Sequence, residues 1–199
     1  MSAAGDLLQA FHDYVTSRSD PLLQRFIEGF EWRMDERLLA AHRLPVLDNL
    51  NMPNAPADAA EGDLFSTLSS TASALHWGQT YSIADFGADF LQRYGWVELF
   101  GTRGHFVSDD MAGGFLLLGP DVHYPDHHHI AEEIYIPLTG RALWSKDGQH
   151  FLSRWPGEII HHPSDIRHAM RTEVTPLVAL YLWRGGPLAQ KSIISGRAK

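Results

Sequence analysis

Nitrogen and oxygen donors crowd one short stretch of this chain, His123-Tyr124-Pro125-Asp126-His127-His128-His129-Ile130-Ala131-Glu132-Glu133-Ile134-Tyr135. On an extended backbone, side chains two residues apart leave the same face. His127 therefore shares a face with His129, and Glu133 with Tyr135. Ala131 lies on that face too and is small enough to leave room. A neutral imidazole from His168, beyond the polar loop Pro163-Ser164-Asp165, can close a set of His127 or His129, or both, with Glu133 and His168. Such nitrogen and carboxylate donors suit one borderline divalent transition ion: zinc, iron, manganese, nickel or cobalt. The opposite face carries Ile130, Ile134 and Ile136, expected to enter a second packed layer. His128 and Glu132 share it, expected to meet solvent or make structural hydrogen bonds. Eight of the twelve histidines fall between His123 and His168. Of these His123, His150, His161 and His162, like His105 before them, read as hydrogen-bonded core or surface residues rather than ligands.

The elements that must position these groups change character near Trp96. Before it, Leu7, Leu8, Phe11, Tyr14 and Val15 recur at the spacing of one helix face. Asp20-Pro21 reads as an N-cap followed by Pro at the first helical position, with Leu22, Leu23, Phe26, Ile27 and Phe30 as the stripe. A third helix is predicted from about Glu31 to His42, a loop from Asn49 to Asp63, and helices over Leu64–Leu75 and Ser82–Tyr94, the last capped by Ser82. After Trp96, short β-branched and aromatic runs alternate with Gly, Pro and Asp. They are Val97–Phe100, Gly114–Leu118, Ile134–Ile136, Arg141–Trp144, Glu158–Ile160 and Leu177–Trp183, and Asp147-Gly148 marks a hairpin turn. A helical region over 1–95 and an antiparallel barrel over 96–199 are expected to form one structural unit.

Composition narrows the function. The formal charge is −8 with no Lys/Arg cluster, which argues against a nucleic-acid partner. There is no cysteine, so disulfides and thiolate ligands are excluded. No apolar run reaches the ~20 residues that span a bilayer, and the N-terminus does not read as a signal peptide. A soluble, cytoplasmic protein acting on a small molecule is expected, with a homodimer left open.

The spacing His127-x-His129, three residues, Glu133, six residues, Gly140 resembles the first motif of the cupins, small antiparallel β-barrels of jelly-roll type. Pro156-Gly157 followed by His168 resembles the second, with Thr172 where that motif ends in Asn. Within the first, Tyr124-Pro125-x-His127-x-His129-x-Ala131-x-Glu133-x-Tyr135 resembles the more restrictive motif of the cupin-type dimethylsulfoniopropionate lyases, most closely their DddQ group. The resemblance implies a mainly β cupin with a helical N-terminal half. It implies a carbon–sulfur lyase splitting the substrate into dimethyl sulfide and acrylate by β-elimination. It assigns metal binding to His129, Glu133 and His168, and the general base to Tyr135, also a candidate ligand. It assigns the substrate pocket to Tyr124, His127 and Trp183, with His127 counted as a ligand in some readings and Tyr124 as a second candidate for the base. The chemistry agrees: a cation on the substrate carboxylate stabilises the charge formed when the α-proton leaves, and aromatic faces hold the sulfonium. Tyr124 and Trp183 are candidates for those faces, with Trp144 and Trp155 behind them. Two other classes suit the same donors: a non-haem iron dioxygenase and a cupin that binds a small ligand without turnover.

Overall fold

The computed structural model describes residues 2–51 and 59–195. Among these residues, four α-helices are followed by eleven strands. Helix α1 (Ala3–Ser17) starts where the Ser2 side chain accepts from the Gly5 amide, and it buries Leu7, Phe11, Tyr14 and Val15. Helix α2 (Pro21–Ile27) is capped by Asp20, whose carboxylate accepts from the Leu22 and Leu23 amides at 2.9 and 3.1 Å. Helix α3 spans Ala59–Thr71, running into a short 3-10 turn over Ala72–Ala74. Helix α4 (Ile83–Gln92) begins at Ser82, whose backbone and hydroxyl both donate to the Asp85 carboxylate.

Two parts of the helical half differ from the sequence reading. No third helix forms over Glu31–His42, because this stretch spends its backbone on neighbours instead. Arg37 N–H donates to the His105 carbonyl, Asp35 C=O accepts from Val107, and His42 exchanges bonds with Leu75 and Trp77. Trp32 meanwhile wedges among Phe11, Phe30 and Phe100, with ring centroids 4.9–6.3 Å apart. Tertiary partners override the propensity. The loop predicted over Asn49–Asp63 is taken up at both ends by regular structure: a 3-10 helix covers Pro45–Asn51 and α3 already begins at Ala59, while 52–58 lie outside the described residues.

The strands are β1 (Tyr94–Gly101), β2 (Phe106–Val107), β3 (Met111–Leu118), β4 (His123–His128), β5 (Glu132–Thr139), β6 (Ala142–Lys146), β7 (Leu152–Arg154), β8 (Ile160–His162), β9 (His168–Thr172), β10 (Leu177–Arg184) and β11 (Ile193–Ile194). They form two sheets, β2-β1-β3-β10-β5-β8 and β11-β4-β9-β6-β7. Every pairing is antiparallel except the two-residue edge contact of β2 with β1. The strand expected from Glu158 starts only at Ile160. Asp147 and Gly148, both at positive φ, turn β6 back into β7 as the sequence signals.

Side-chain alternation along β5 divides the core. Ile134 and Ile136 join the apolar cluster that the sheet shares with α1, α2 and α3. Tyr135 points the other way, into a second cluster between the sheets with Tyr94, Tyr124, Trp144 and Met170. Ile130, expected in the packed layer, is instead 46 % exposed, since it falls in the bend between β4 and β5. Thr172, at the end of the second motif, accepts from the Val122 amide and donates to the Gly119 carbonyl, locking the turn that leads into β4.

Candidate metal centre

Two strands and the residue after a third deliver the donors. Glu133 lies near the start of β5, His168 opens β9, and His129 follows the last residue of β4. Their ligand atoms all lie within 4.8 Å of one another, and all three residues are buried. His129 Nε2 and His168 Nε2 each stand 3.2 Å from the same oxygen, Glu133 Oε2.

The far side of each imidazole fixes its tautomer. Nδ1 faces a backbone carbonyl in all three motif histidines: Pro125 for His127 at 2.9 Å, Ala131 for His129 at 2.8 Å, Ile166 for His168 at 3.0 Å. A carbonyl only accepts, so each Nδ1 carries the proton and each Nε2 is left for the site. His168 Nε2 is buried and has no hydrogen-bond partner among the described residues, although a carboxylate oxygen is 3.2 Å away. Two ring nitrogens converging on one carboxylate oxygen, all three residues buried, call for positive charge beside that carboxylate. A borderline divalent ion fits this donor set.

Electrostatics point the same way. Burial would push the Glu133 carboxyl up, but the His129 charge and hydrogen bond outweigh it and hold Glu133 well below the usual range. Burial would depress His129, and the Glu133 charge and hydrogen bond lift it instead. His127 differs. Burial and then the His168 charge press it well below its ordinary value, so it is neutral. It stands beside the three-residue group, against His168 at 4.1 Å between ring centroids, and stacks on Tyr124 at 4.1 Å and 8°.

A cavity opens on this group. Tyr124, His127, Glu133, Tyr135 and Trp183 line it. Trp183 Nε1 donates to Glu133 Oε1 at 2.5 Å. Burial, followed by the Glu133 negative charge, raises the Tyr135 phenol well above its ordinary value. Tyr124 meets the Tyr81 hydroxyl at 3.0 Å.

The sequence reading missed the remaining walls. Tyr94, Trp96, Glu98, Arg103 and Tyr181 line the same cavity, from β1, β10 and the turn after β1. Glu98 and Tyr181 stand on one sheet row with Tyr135, through Gly114. The alternation of β10 could have flagged Tyr181, two residues from Trp183. Trp144 and Trp155 take no part in this lining: Trp144 is buried 6.2 Å from the Tyr135 ring, and Trp155 is half exposed. His162, read as an ordinary buried residue, reaches the site. It is 1 % exposed, its Nδ1 is 3.4 Å from Glu133 Oε2, and burial then His168 press its pKa down to about 3. On the outer face His128 meets Ser195 and Glu132 meets His161, as structural contacts.

Helices packed on a two-sheet antiparallel barrel, with a buried His/Glu/His group inside, define a cupin with a site able to hold a divalent metal. The comparisons refine this class. The family model described as dimethylsulfoniopropionate lyase matches residues 18–179. Dimethylsulfoniopropionate lyase DddQ of Ruegeria pomeroyi is 39 % identical over 129 residues, a stretch covering 65 % of this chain and 63 % of that protein. A chain from the crystal structures of the lyases RdDddP and RnDddQII superposes with a TM-score of 0.89 at 32 % identity, covering 97 % of both. The crystal structure of DddQ from Ruegeria pomeroyi gives 0.88 at 29 %, covering 97 % of this chain and 96 % of that one. This chain belongs to the dimethylsulfoniopropionate lyase family. Among the described residues, no helix is long and apolar enough to cross a membrane.

Proposed function

We propose that the chain cleaves dimethylsulfoniopropionate into dimethyl sulfide and acrylate by β-elimination. The observation that carries this reading is Tyr135 lining the same cavity as the carboxylate of a buried His129–Glu133–His168 group, in a chain of this family. Tyr135 Oη, as the phenolate, takes the α-proton and becomes the neutral phenol; the C–H electrons become the new C=C bond; the C–S pair leaves on sulfur. A sulfonium leaving group needs no proton, so no general acid is required. His129, Glu133 and His168 would hold a divalent ion, which would supply Lewis acidity to the substrate carboxylate and positive potential to the phenol. Without such a cation, burial and Glu133 keep Tyr135 protonated. Trp183, Tyr181 and Trp96 offer aromatic faces to the sulfonium, while Tyr124 positions substrate beside His127. Which ion serves is a matter of affinity and supply among zinc, iron, manganese, nickel and cobalt.

The test is headspace detection of dimethyl sulfide from the purified, metal-loaded protein. Stoichiometric dimethyl sulfide and acrylate are expected; no product above the buffer control overturns the reading. The two-histidine, one-carboxylate group also favours a second reading, a non-haem iron dioxygenase. Oxygen consumption with the iron-loaded protein would mark that reading.

A further inference from the structure

Glu133 occupies the centre of a row that runs straight across three strands. Trp183 of β10 pairs with Glu133 of β5, and Glu133 pairs with His162 of β8. Residues directly opposite on neighbouring strands leave the same face of a sheet, so both neighbours meet the carboxylate from its flanks. Trp183 Nε1 donates to Oε1 at 2.5 Å, and His162 Nδ1 faces Oε2 at 3.4 Å. A carboxylate only accepts, so the His162 proton sits on Nδ1. That tautomer holds on the side facing Glu133, so the nitrogen that would serve as a donor there is already engaged.

His162 has a second hold. Its ring lies on that of His168 at 4.0 Å and 15°, a stacked pair buried on both sides. One side chain thus touches two of the three converging residues, and Trp183 makes the matching contact with the third, its ring 4.0 Å from that of His129.

We propose that His162 and Trp183 are positioning residues for the metal centre, clamping the Glu133 carboxylate from both flanks and fixing the rings of His168 and His129. The clamp rests on the metal-dependent reading above. It acts by holding the donors in one arrangement before the ion arrives, which is where groups behind the ligands gain affinity, commonly 10–100-fold. An Ala, Leu or Phe at either position removes the N–H that holds the carboxylate from that flank.

The test is metal affinity, measured by chelator competition with zinc or cobalt on the full chain, alongside thermal unfolding without metal. H162L should bind about 10–100-fold more weakly than the unsubstituted protein. H162Q, whose amide N–H can still donate to Oε2, should recover most of that loss. W183F keeps the ring and removes only the N–H, and should weaken binding about 10-fold. A merely structural His162 would lower the unfolding midpoint in H162L and H162Q alike without separating their affinities. If H162L fails to fold, H162Q and W183F decide the matter. Unchanged affinity in W183F, or equal affinities for H162L and H162Q, overturns the clamp. Dimethyl sulfide release by the unsubstituted protein reports on the lyase reading by itself, so a protein that binds metal through the clamp yet releases no product refutes only that reading.

Discussion

Tyr135 leaves β5 on the same face as Glu133, two residues on, and its hydroxyl reaches the same cavity. Tyr135→Phe keeps the ring in its cluster with Trp144 and removes one oxygen. Turnover should fall ~10²–10⁴-fold with the fold intact, the range of a lost general base. Dimethyl sulfide release per bound metal measures it, and substrate deuterated at the α-carbon should react more slowly. Near-normal release by a metal-replete Tyr135→Phe protein would move the base to Tyr124 or His127. The two faces of the histidine run give a second contrast. His129→Ala should lose most bound metal, whereas His128→Ala should keep it, because His128 faces Ser195 on the outer side. Elemental analysis of the two proteins decides; equal metal contents would mean the faces are assigned wrongly.

At the scale of the element, the ladder between β1 and β3 sets where the cavity walls stand. Its register shifts between Glu98 and Phe100, and Gly114 sits opposite that irregularity. A Cβ on Gly114 would lie 1.9 Å from the Val97 carbonyl oxygen, a backbone atom that cannot swing away. Gly119 is a milder case, since its added Cβ would meet Arg93 Cβ at 3.1 Å, a contact relieved by a shift of a few tenths of an ångström. Gly114→Ala should therefore cost more than ~4 kcal/mol, beyond the usual run of point substitutions. For a chain of this length that lowers the thermal midpoint by roughly 10 °C or more. Gly119→Ala should stay within about 1 kcal/mol of the parent. Thermal unfolding of both proteins checks the contrast, and similar midpoints would refute it.

The helical half holds the barrel through a buried polar tie. Glu61 of α3, fully buried, accepts from Tyr14 at 2.5 Å and from Arg18 at 2.8 Å, and Arg18 also donates to the Gly157 carbonyl at 2.7 Å. Gly157 belongs to the turn of the second motif, so one arginine joins α1, α3 and the barrel. Arg18→Met should cost about 2–3 kcal/mol, less than the ~3–5 of a fully buried pair because 26 % of the Arg18 side chain remains in water. The corresponding fall in midpoint is roughly 4–12 °C, and an unchanged midpoint would show the tie to be idle. His105 gives the molecule a pH dependence. Its Nε2 accepts from the His76 amide, and burial, then the His76 charge, depress its pKa below the ordinary value. The unfolded chain binds that proton first, so this stability is present above about pH 6.5 and is lost as pH falls through the window beneath it. Midpoints measured between pH 5 and 8 should decline on the acid side, less steeply in His105→Gln; identical slopes would remove His105 as the cause.

The primary sequence alone singled out His127 or His129, Glu133 and His168 as candidate donors, and the family resemblance narrowed the first to His129. The two-residue period on extended backbone is a local rule, and so is the shift from helical to strand pattern near Trp96. Local rules also named Asp20 and Ser82 as helix starts and Asp147-Gly148 as a turn. Only the tertiary structure decided what no local rule contains. Glu31–His42 abandons its helix because Trp32 and the strand edges offer better partners from far along the chain. Glu98, Arg103 and Tyr181 become cavity walls through cross-strand register, which depends on a bulge the spacing does not announce. His162 looked like any buried histidine until β8 docked beside β5 and set its ring on His168, 29 residues from the carboxylate it faces. Pairing register is a long-range property, fixed by which faces can be buried together, and it is this that turns four scattered side chains into one site.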